Sequence, residues 1–589
     1  MRDEFAPIIE STFKLKENEG RDKAISLAET IKQNVKPGMT IYIEEGANAA
    51  IREIMRQFWG TNPQFTLVMS AVSGDALDLV ASGLVKKIIA PACVEQRPMI
   101  GPSPVIQRVS QQKTVEIEDW SLYSLMLRLM AGALGIGFMP TKSLLGSSIA
   151  EANQNSFKAM DDPFGSGQRL GLVKALNPDL AIVHALVADH YGNAIMSTPP
   201  KACYAGWGAR ASRGGVVLTV EKLVSTDYIR QHAGLVTLPG QVINSVSAAR
   251  FGTHPEGLLN KGLTAFKSYG EDHQFMDEVR KARRDPAQLN TRLKEWVLDC
   301  PSHEAYLKKL GSARLSLLRY RAGKDTWQKT LEPLLNNISA SPEYNAIEMM
   351  TVTAARKVRE KVLKKGYRIL LVGAGTPLAA TWLAYLQLRD EGYDVEVTNG
   401  SGQFGYMPRP GDPSTTNFHS LVTCKMLCDV MTVYGWLVGG TDKSLAVLGG
   451  AEIDKHGNIN STLASNGAHL VGSGGANDAG NAAECMLVVT QSPQRFADKV
   501  SYITVPGRKI TTLISDLGIF EKPAPDKEFV LTAYFPKPGG KEDTLRHIKQ
   551  QCGWELKVSP DVKQVDPPTQ EELILLRLLD AGGALIRPR

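Results

Sequence analysis

Short apolar runs, roughly four to seven residues each, alternate with stretches of helical periodicity along the whole chain. In the first half they fall at residues 39–43, 65–69, 87–90, 180–186 and 216–220. In the second half they fall at 368–372, 445–448 and 486–490. Near-continuous apolar runs between helical segments mark parallel strands covered on both faces, so the pattern predicts an α/β fold. The most apolar stretch, residues 122–139, is interrupted by Arg128 and several glycines. It reads as a buried helix followed by a strand. No run of about 18 consecutive apolar residues occurs, so no transmembrane helix is expected.

Two turns repeat. Asp189-His190-Tyr191-Gly192-Asn193 follows one apolar run, and Asp454-Lys455-His456-Gly457-Asn458 follows another. Asp-x-x-Gly-Asn is a good turn in its own right, because glycine supplies positive φ and the Asx side chains bond the backbone. Recurring after a strand each time, it also predicts two related halves. A polar, helix-patterned region spans about 270–337 and ends in Asn336-Asn337-Ile338-Ser339-Ala340-Ser341-Pro342, the best linker segment. The predicted division is 1–335, a linker at 336–344, and 345–589. The tail from about Pro523 is proline-rich and loosely patterned.

Composition narrows the function classes. Of 589 residues, 43% are hydrophobic and 22% charged, which excludes a disordered or fibrous chain. Lys and Arg total 67 against 61 Asp and Glu, a balance too even for a dedicated nucleic-acid binder. The seven cysteines form no C-x-x-C pair, so neither a disulfide framework nor a cysteine zinc site is expected, and no metal ligand set stands out. The N-terminus carries no secretory pattern, and a cytoplasmic location is the expectation. Glycine is in excess at 53 residues, and its clusters matter. Gly373-Ala374-Gly375-Thr376-Pro377 follows a strand and opens a helix, but residue 378 is leucine, so the dinucleotide fingerprint fails. Such a turn leaves backbone N–H groups facing a cleft at the strand's C-terminal end, suited to an oxyanion. Asn399-Gly400-Ser401-Gly402 and Gly472-Ser473-Gly474-Gly475 are similar elements. Gly373, Gly375, Gly400, Gly402, Gly474 and Gly475 are the candidate binding positions. Neither a Walker A sequence nor H-E-x-x-H nor G-x-S-x-G is present.

The ordered series of these motifs resembles the family I coenzyme A transferases of the glutaconate CoA-transferase type. The resemblance rests on Lys36-Pro37-Gly38, Gly135-Ile136-Gly137-Phe138-Met139-Pro140, both Asp-x-x-Gly-Asn turns, Leu238-Pro239-Gly240 and Gly252-Thr253-His254-Pro255. In the second half it rests on Val372-Gly373-Ala374-Gly375-Thr376-Pro377, Leu448-Gly449-Gly450-Ala451-Glu452, residues 472–476 and Val505-Pro506-Gly507. It implies two open α/β domains of the NagB/RpiA/CoA-transferase-like type in tandem, an α-subunit-like and a β-subunit-like half fused in one chain. It implies an acyl-CoA and a carboxylic acid as partners, coenzyme A as substrate with no tightly bound cofactor, and it allows a homodimer of the fused unit. It implies exchange of CoA between acids through a glutamate of the second half, by covalent catalysis.

That glutamate is where the chain departs. Alignment on Gly402 and Gly405 puts Gly400 at its position, and alignment on Asn399-Gly400 puts Thr398 there. Glu396 lies on the same strand face and is one candidate. Some relatives without the glutamate are CoA-thioester hydrolases that open a carbocyclic ring, with a first-half glutamate as base. The comparable region here holds Glu95, the leading candidate for that base, and Glu45, in Glu44-Glu45-Gly46, is the runner-up. A non-catalytic acyl-CoA binding protein is the remaining alternative. Arg97, Arg108 and Arg409 are candidate contacts for a carboxylate or phosphate.

Overall fold

The computed structural model describes residues 3–97, 99–260, 262–412 and 414–587. The apolar runs form two open sheets. The first comprises β1 (Thr40–Ile43), β2 (Phe65–Val68), β3 (Val85–Ala90), β4 (Glu116–Asp119), β5 (Leu180–Asp189), β6 (Ala194–Met196), β7 (Val216–Val224) and β8 (Ile243–Ala248). Their order is β8-β7-β5-β1-β2-β3-β4, all parallel, with β6 antiparallel on β5. Every residue of β5 is buried, as an apolar run covered on both faces requires.

The second sheet comprises β9 (Ile369–Val372), β10 (Glu396–Thr398), β11 (Gln403–Phe404), β12 (Met426–Leu427), β13 (Ser444–Leu448), β14 (Glu484–Val488), β15 (Ile510–Ile514), β16 (Gly518–Glu521), β17 (Val530–Tyr534) and β18 (Lys557–Gln564). Its order is β12-β11-β10-β9-β13-β14-β15-β16-β17-β18. The parallel core β15-β14-β13-β9-β10 reproduces β8-β7-β5-β1-β2 in order and direction.

The repeated turns match atom for atom. Asp189 Oδ1 accepts from the N–H of Tyr191 (3.0 Å) and Asn193 (2.9 Å). Asp454 Oδ1 accepts from the N–H of His456 (3.0 Å) and Asn458 (3.0 Å). The Asn193 side chain then accepts from Gly240 N–H at 2.9 Å, and that of Asn458 from Gly507 N–H at 2.8 Å. Leu238-Pro239-Gly240 and Val505-Pro506-Gly507 are therefore equivalent entries into β8 and β15. His190 and His456 lie within these turns, and the His190 ring approaches Asp22 Oδ1 at 3.5 Å.

The polar region forms successive helices from His273–Ala282 to Trp327–Leu331. Segment 336–344 is pinned by Arg577, whose guanidinium donates to the carbonyls of Ser339 (2.9 Å), Ser341 (2.7 Å) and Glu343 (2.6 Å). The tail is more ordered than its proline content suggests. It supplies β17, β18 and the helices Gly540–Gln550 and Gln570–Leu579. Its apolar residues Leu531, Leu573 and Leu576 are fully buried, so packing overrides weak local pattern. Segment 122–139 becomes the helix Leu122–Ala133 and the strand Phe138–Thr141, as its pattern predicts, though Phe138 is exposed.

The halves interlock through backbone. Cys93 N–H donates to Val471 O (3.1 Å), Leu122 N–H to Gly474 O (2.9 Å) and Gly474 N–H to Pro91 O (2.7 Å). The Asp478 carboxylate, wholly buried in the second half, accepts from Ser121 Oγ (2.6 Å), Ser143 Oγ (2.7 Å) and Tyr123 N–H (2.9 Å) of the first.

Candidate active site

The C-terminal ends of the parallel strands of the two sheets open on one cleft of about 430 Å³ between the halves. Parallel α/β sheets bind ligands at that end. The second half lines it with Gly373-Ala374, Asn399-Gly400-Ser401, Gly449-Gly450 and residues 470–476. The first half lines it with Glu45, Ser70, residues 198–201, Cys203 and Glu271.

The shared register explains which first-half residues arrive. Glu45 lies two residues beyond β1, as Ala374 lies two beyond β9. Gly46 and Gly375, one residue further, both have positive φ (89° and 83°). Ser70 lies two residues beyond β2, as Gly400 lies two beyond β10. The site is therefore a pseudo-symmetric pair: Glu45 and Ser70 face Ala374 and Gly400, and only the first-half pair carries functional side chains.

Ser70 Oγ donates to Glu45 Oε1 at 2.5 Å. Burial pushes the Glu45 carboxyl up from the ordinary range, against the opposing pull of Lys201 and the Ser70 hydroxyl. The Lys201 ammonium bonds Glu256. Burial lowers its pKa, while Glu45 and Glu271 act in the other direction. Behind Glu45, Tyr42 Oη donates to Glu44 Oε2 at 2.6 Å, and burial raises the Glu44 carboxyl to about 8. Glu271 is held in its charged form despite burial, chiefly by Arg97. Arg97 joins Glu271 to Asp412 (2.5 Å), a strap across the two halves and not a free anion site. Its guanidinium thus fills the cluster Glu271, His273 and Asp412, whose spacing alone would suit a cation.

The three candidate carboxylates separate cleanly. Glu45 lines the cleft. Glu95 does not: it bonds Arg283 Nη1 (2.9 Å) and Ser103 Oγ (3.3 Å) beside a separate cavity of about 40 Å³. Alternation explains this, since Ala92, Val94 and Gln96 line the cleft and Glu95 points to the other side. Glu396 has the right strand face but the wrong end. It opens β10, about 13 Å of extended chain before Gly400, and pairs with Lys425 and, at 3.7 Å, with Arg389. Glu396→Gln is accordingly expected to leave turnover of a CoA thioester within about twofold. Glu95→Ala is expected to cost about 3 kcal/mol in urea denaturation by leaving the buried Arg283 undercompensated.

Of the glycines, Gly373, Gly400, Gly474 and Gly475 line the cleft, whereas Gly375 and Gly402 shape its turns from outside. Gly402 has φ of 91°, and a Cβ there would lie 1.7 Å from Cys428 O. Gly402→Ala is expected to destabilise by about 2 kcal/mol or more, read as a lower denaturation midpoint. Arg108 donates to Arg283 O (3.0 Å), and Arg409 lies 4.9 Å over the Trp327 ring, so neither reaches the cleft. Sequence reasoning missed Ser70, Lys201, Cys203 and Tyr434. The signal for Ser70 was its register with Gly400.

The profile described as "Coenzyme A transferase" matches residues 24–249. The chain is 31% identical over 261 residues to one subunit of the 3-oxoadipate CoA-transferase of Pseudomonas knackmussii, covering 41% of this chain and 95% of that one. This chain belongs to the coenzyme A transferase family. It is also similar to one subunit of the glutaconate CoA-transferase of Acidaminococcus fermentans, 25% identical over 327 residues, with 51% of this chain and 96% of that one covered. The other subunit of that same enzyme matches too, at 26% identity over 268 residues, with 41% of this chain and 96% of that one covered. Counterparts of two separate subunits are thus joined in one CoA-transferase chain. The fold matches the crystal structure of an acyl-CoA transferase of Escherichia coli O157:H7 at TM-score 0.62 and 15% identity, over 97% of this chain and 98% of that one. No helix among the described residues is long and apolar enough to cross a membrane.

Proposed function

We propose that the chain binds an acyl-CoA between residues 1–335 and 345–589 and turns it over hydrolytically, with Glu45 as general base. The observation that carries this is the Glu45 carboxylate, half-buried in the wall of the cleft with its pKa raised, on the same cleft as a glycine at position 400. A base working near neutral pH needs such a raised pKa. Ser70 fixes its orientation. Lys201 opposes its loss of charge.

In the ring-opening form, Glu45 takes a proton from water as the water oxygen adds to a ring ketone of a β-dicarbonyl thioester. The ring C–C bond breaks, and its electron pair becomes the thioester enolate. The protonated Glu45 returns the proton to the α-carbon, and a carboxylic acid remains at the former ketone. Water and proton balance, and CoA stays attached.

A second reading is exchange of CoA between carboxylic acids, with Glu45 as the acyl acceptor. The transferase names of the relatives favour it. Purified protein assayed on a panel of CoA thioesters, with and without an acceptor acid, separates the two. Product without acceptor supports hydrolysis, and strict dependence on acceptor supports exchange.

A further inference from the structure

Position 400 holds no side chain, yet its space is filled. The phenol of Tyr434 projects into the gap between Gly400 and Gly475. A Cβ on Gly400 would lie 2.2 Å from Tyr434 Oη, and one on Gly475 only 1.6 Å from it. Two glycines on separate cleft loops are therefore the condition for this hydroxyl to sit where it does. The ring is 5% exposed and lines the cleft. No described residue is hydrogen-bonded to Tyr434 Oη; Tyr204 Oη and Tyr228 Oη also lack a partner, but neither residue lines the cleft. Its hydroxyl is therefore free to bond to whatever occupies the cleft.

Its backbone setting is equally specific. Tyr434 lies in a π-helix, Met431–Val438, where Gly439 N–H reaches back to Tyr434 O at 3.0 Å. Such wide turns are uncommon and recur at functional sites. Burial, reinforced by the nearby Asp478 carboxylate, keeps the phenol protonated, hence a donor, well above neutral pH.

We propose that Tyr434 is a catalytic residue whose Oη–H donates a hydrogen bond to the anionic oxygen that develops on the acyl thioester, from the space that a side chain at position 400 would otherwise occupy. This rests on the acyl-CoA reading above and deepens it, because the favoured substrate is one whose thioester passes through an enolate. A donor already aimed at the position of developing charge needs no reorganisation during the reaction.

The test uses the full chain with two probes, coenzyme A and acetoacetyl-CoA. Calorimetry measures the affinity of each, and the ultraviolet absorption of the acetoacetyl-CoA enolate is followed against pH. The unaltered chain is expected to enolise the bound probe at lower pH than water does. Tyr434→Phe is expected to lose about ten- to a hundredfold of that preference while keeping the affinity for coenzyme A. Gly400→Ala, whose methyl displaces the hydroxyl, is expected to lose it too. Equal enolisation by the unaltered chain and Tyr434→Phe overturns the role of Tyr434 and leaves the acyl-CoA reading standing. Failure of the unaltered chain to bind either probe overturns both.

Discussion

Glu45→Gln is expected to lower kcat of the hydrolytic reaction by about a hundred- to ten-thousandfold, with little change in the affinity for coenzyme A. Glutamine keeps the shape and still accepts from Ser70, so the loss isolates the proton-accepting function. The unaltered chain is expected to lose activity on the acid side as Glu45 becomes protonated. Because burial raises that carboxyl, the loss begins at higher pH than for an ordinary glutamate. On the alkaline side Glu44 ionises near pH 8 and places a second negative charge next to Glu45. A kcat/KM profile that does not move in Glu45→Gln, with activity retained, would remove Glu45 from the mechanism.

Asp478→Ala is expected to lower the unfolding free energy by about 3 kcal/mol at pH 5. It leaves Ser121, Ser143 and the Tyr123 N–H without their acceptor at the junction of the halves. Burial raises this carboxyl from 3.8 to about 6. The folded chain therefore binds its proton more tightly than the unfolded chain does. The stability that follows from this shift is full below about pH 4 and is lost as pH rises through 6. The gap between the unaltered chain and Asp478→Ala should narrow over that interval in urea denaturation. A gap that widens with pH would mean that the charged form is the one the junction favours.

Much of this architecture was legible in residue order. Apolar runs bounded by glycine turns place β1, β5, β7, β9 and β13 because strands buried on both faces leave few polar positions to blur them. The duplication was legible in two five-residue turns, since Asp189 and Asp454 each need the same glycine and asparagine to close. The tail was not legible, because β17 and β18 depend on partners distant in sequence. In the site, the glycine turns were visible and their neighbours were not. Glu45 was distinguishable from Glu95 and Glu396 only through strand direction and sheet order: Glu396 fails by strand end and Glu95 by strand face. Tyr434 carries no local signal at all. Its position depends on Gly400 and Gly475, the latter brought in from a loop some forty residues further along the chain.

Catalysis through Glu45 and water, without a covalent glutamyl-CoA, would set this member of the CoA-transferase family apart from an exchange enzyme. The most direct test is incubation with 2-oxocyclohexanecarbonyl-CoA in heavy-oxygen water without an acceptor acid, followed by borohydride and mass spectrometry of product and intact protein. The expected result is a ring-opened acyl-CoA carrying the heavy oxygen in its new carboxylate, and a protein of unchanged mass. A borohydride-reduced glutamate on the protein, with an unopened ring, would contradict it.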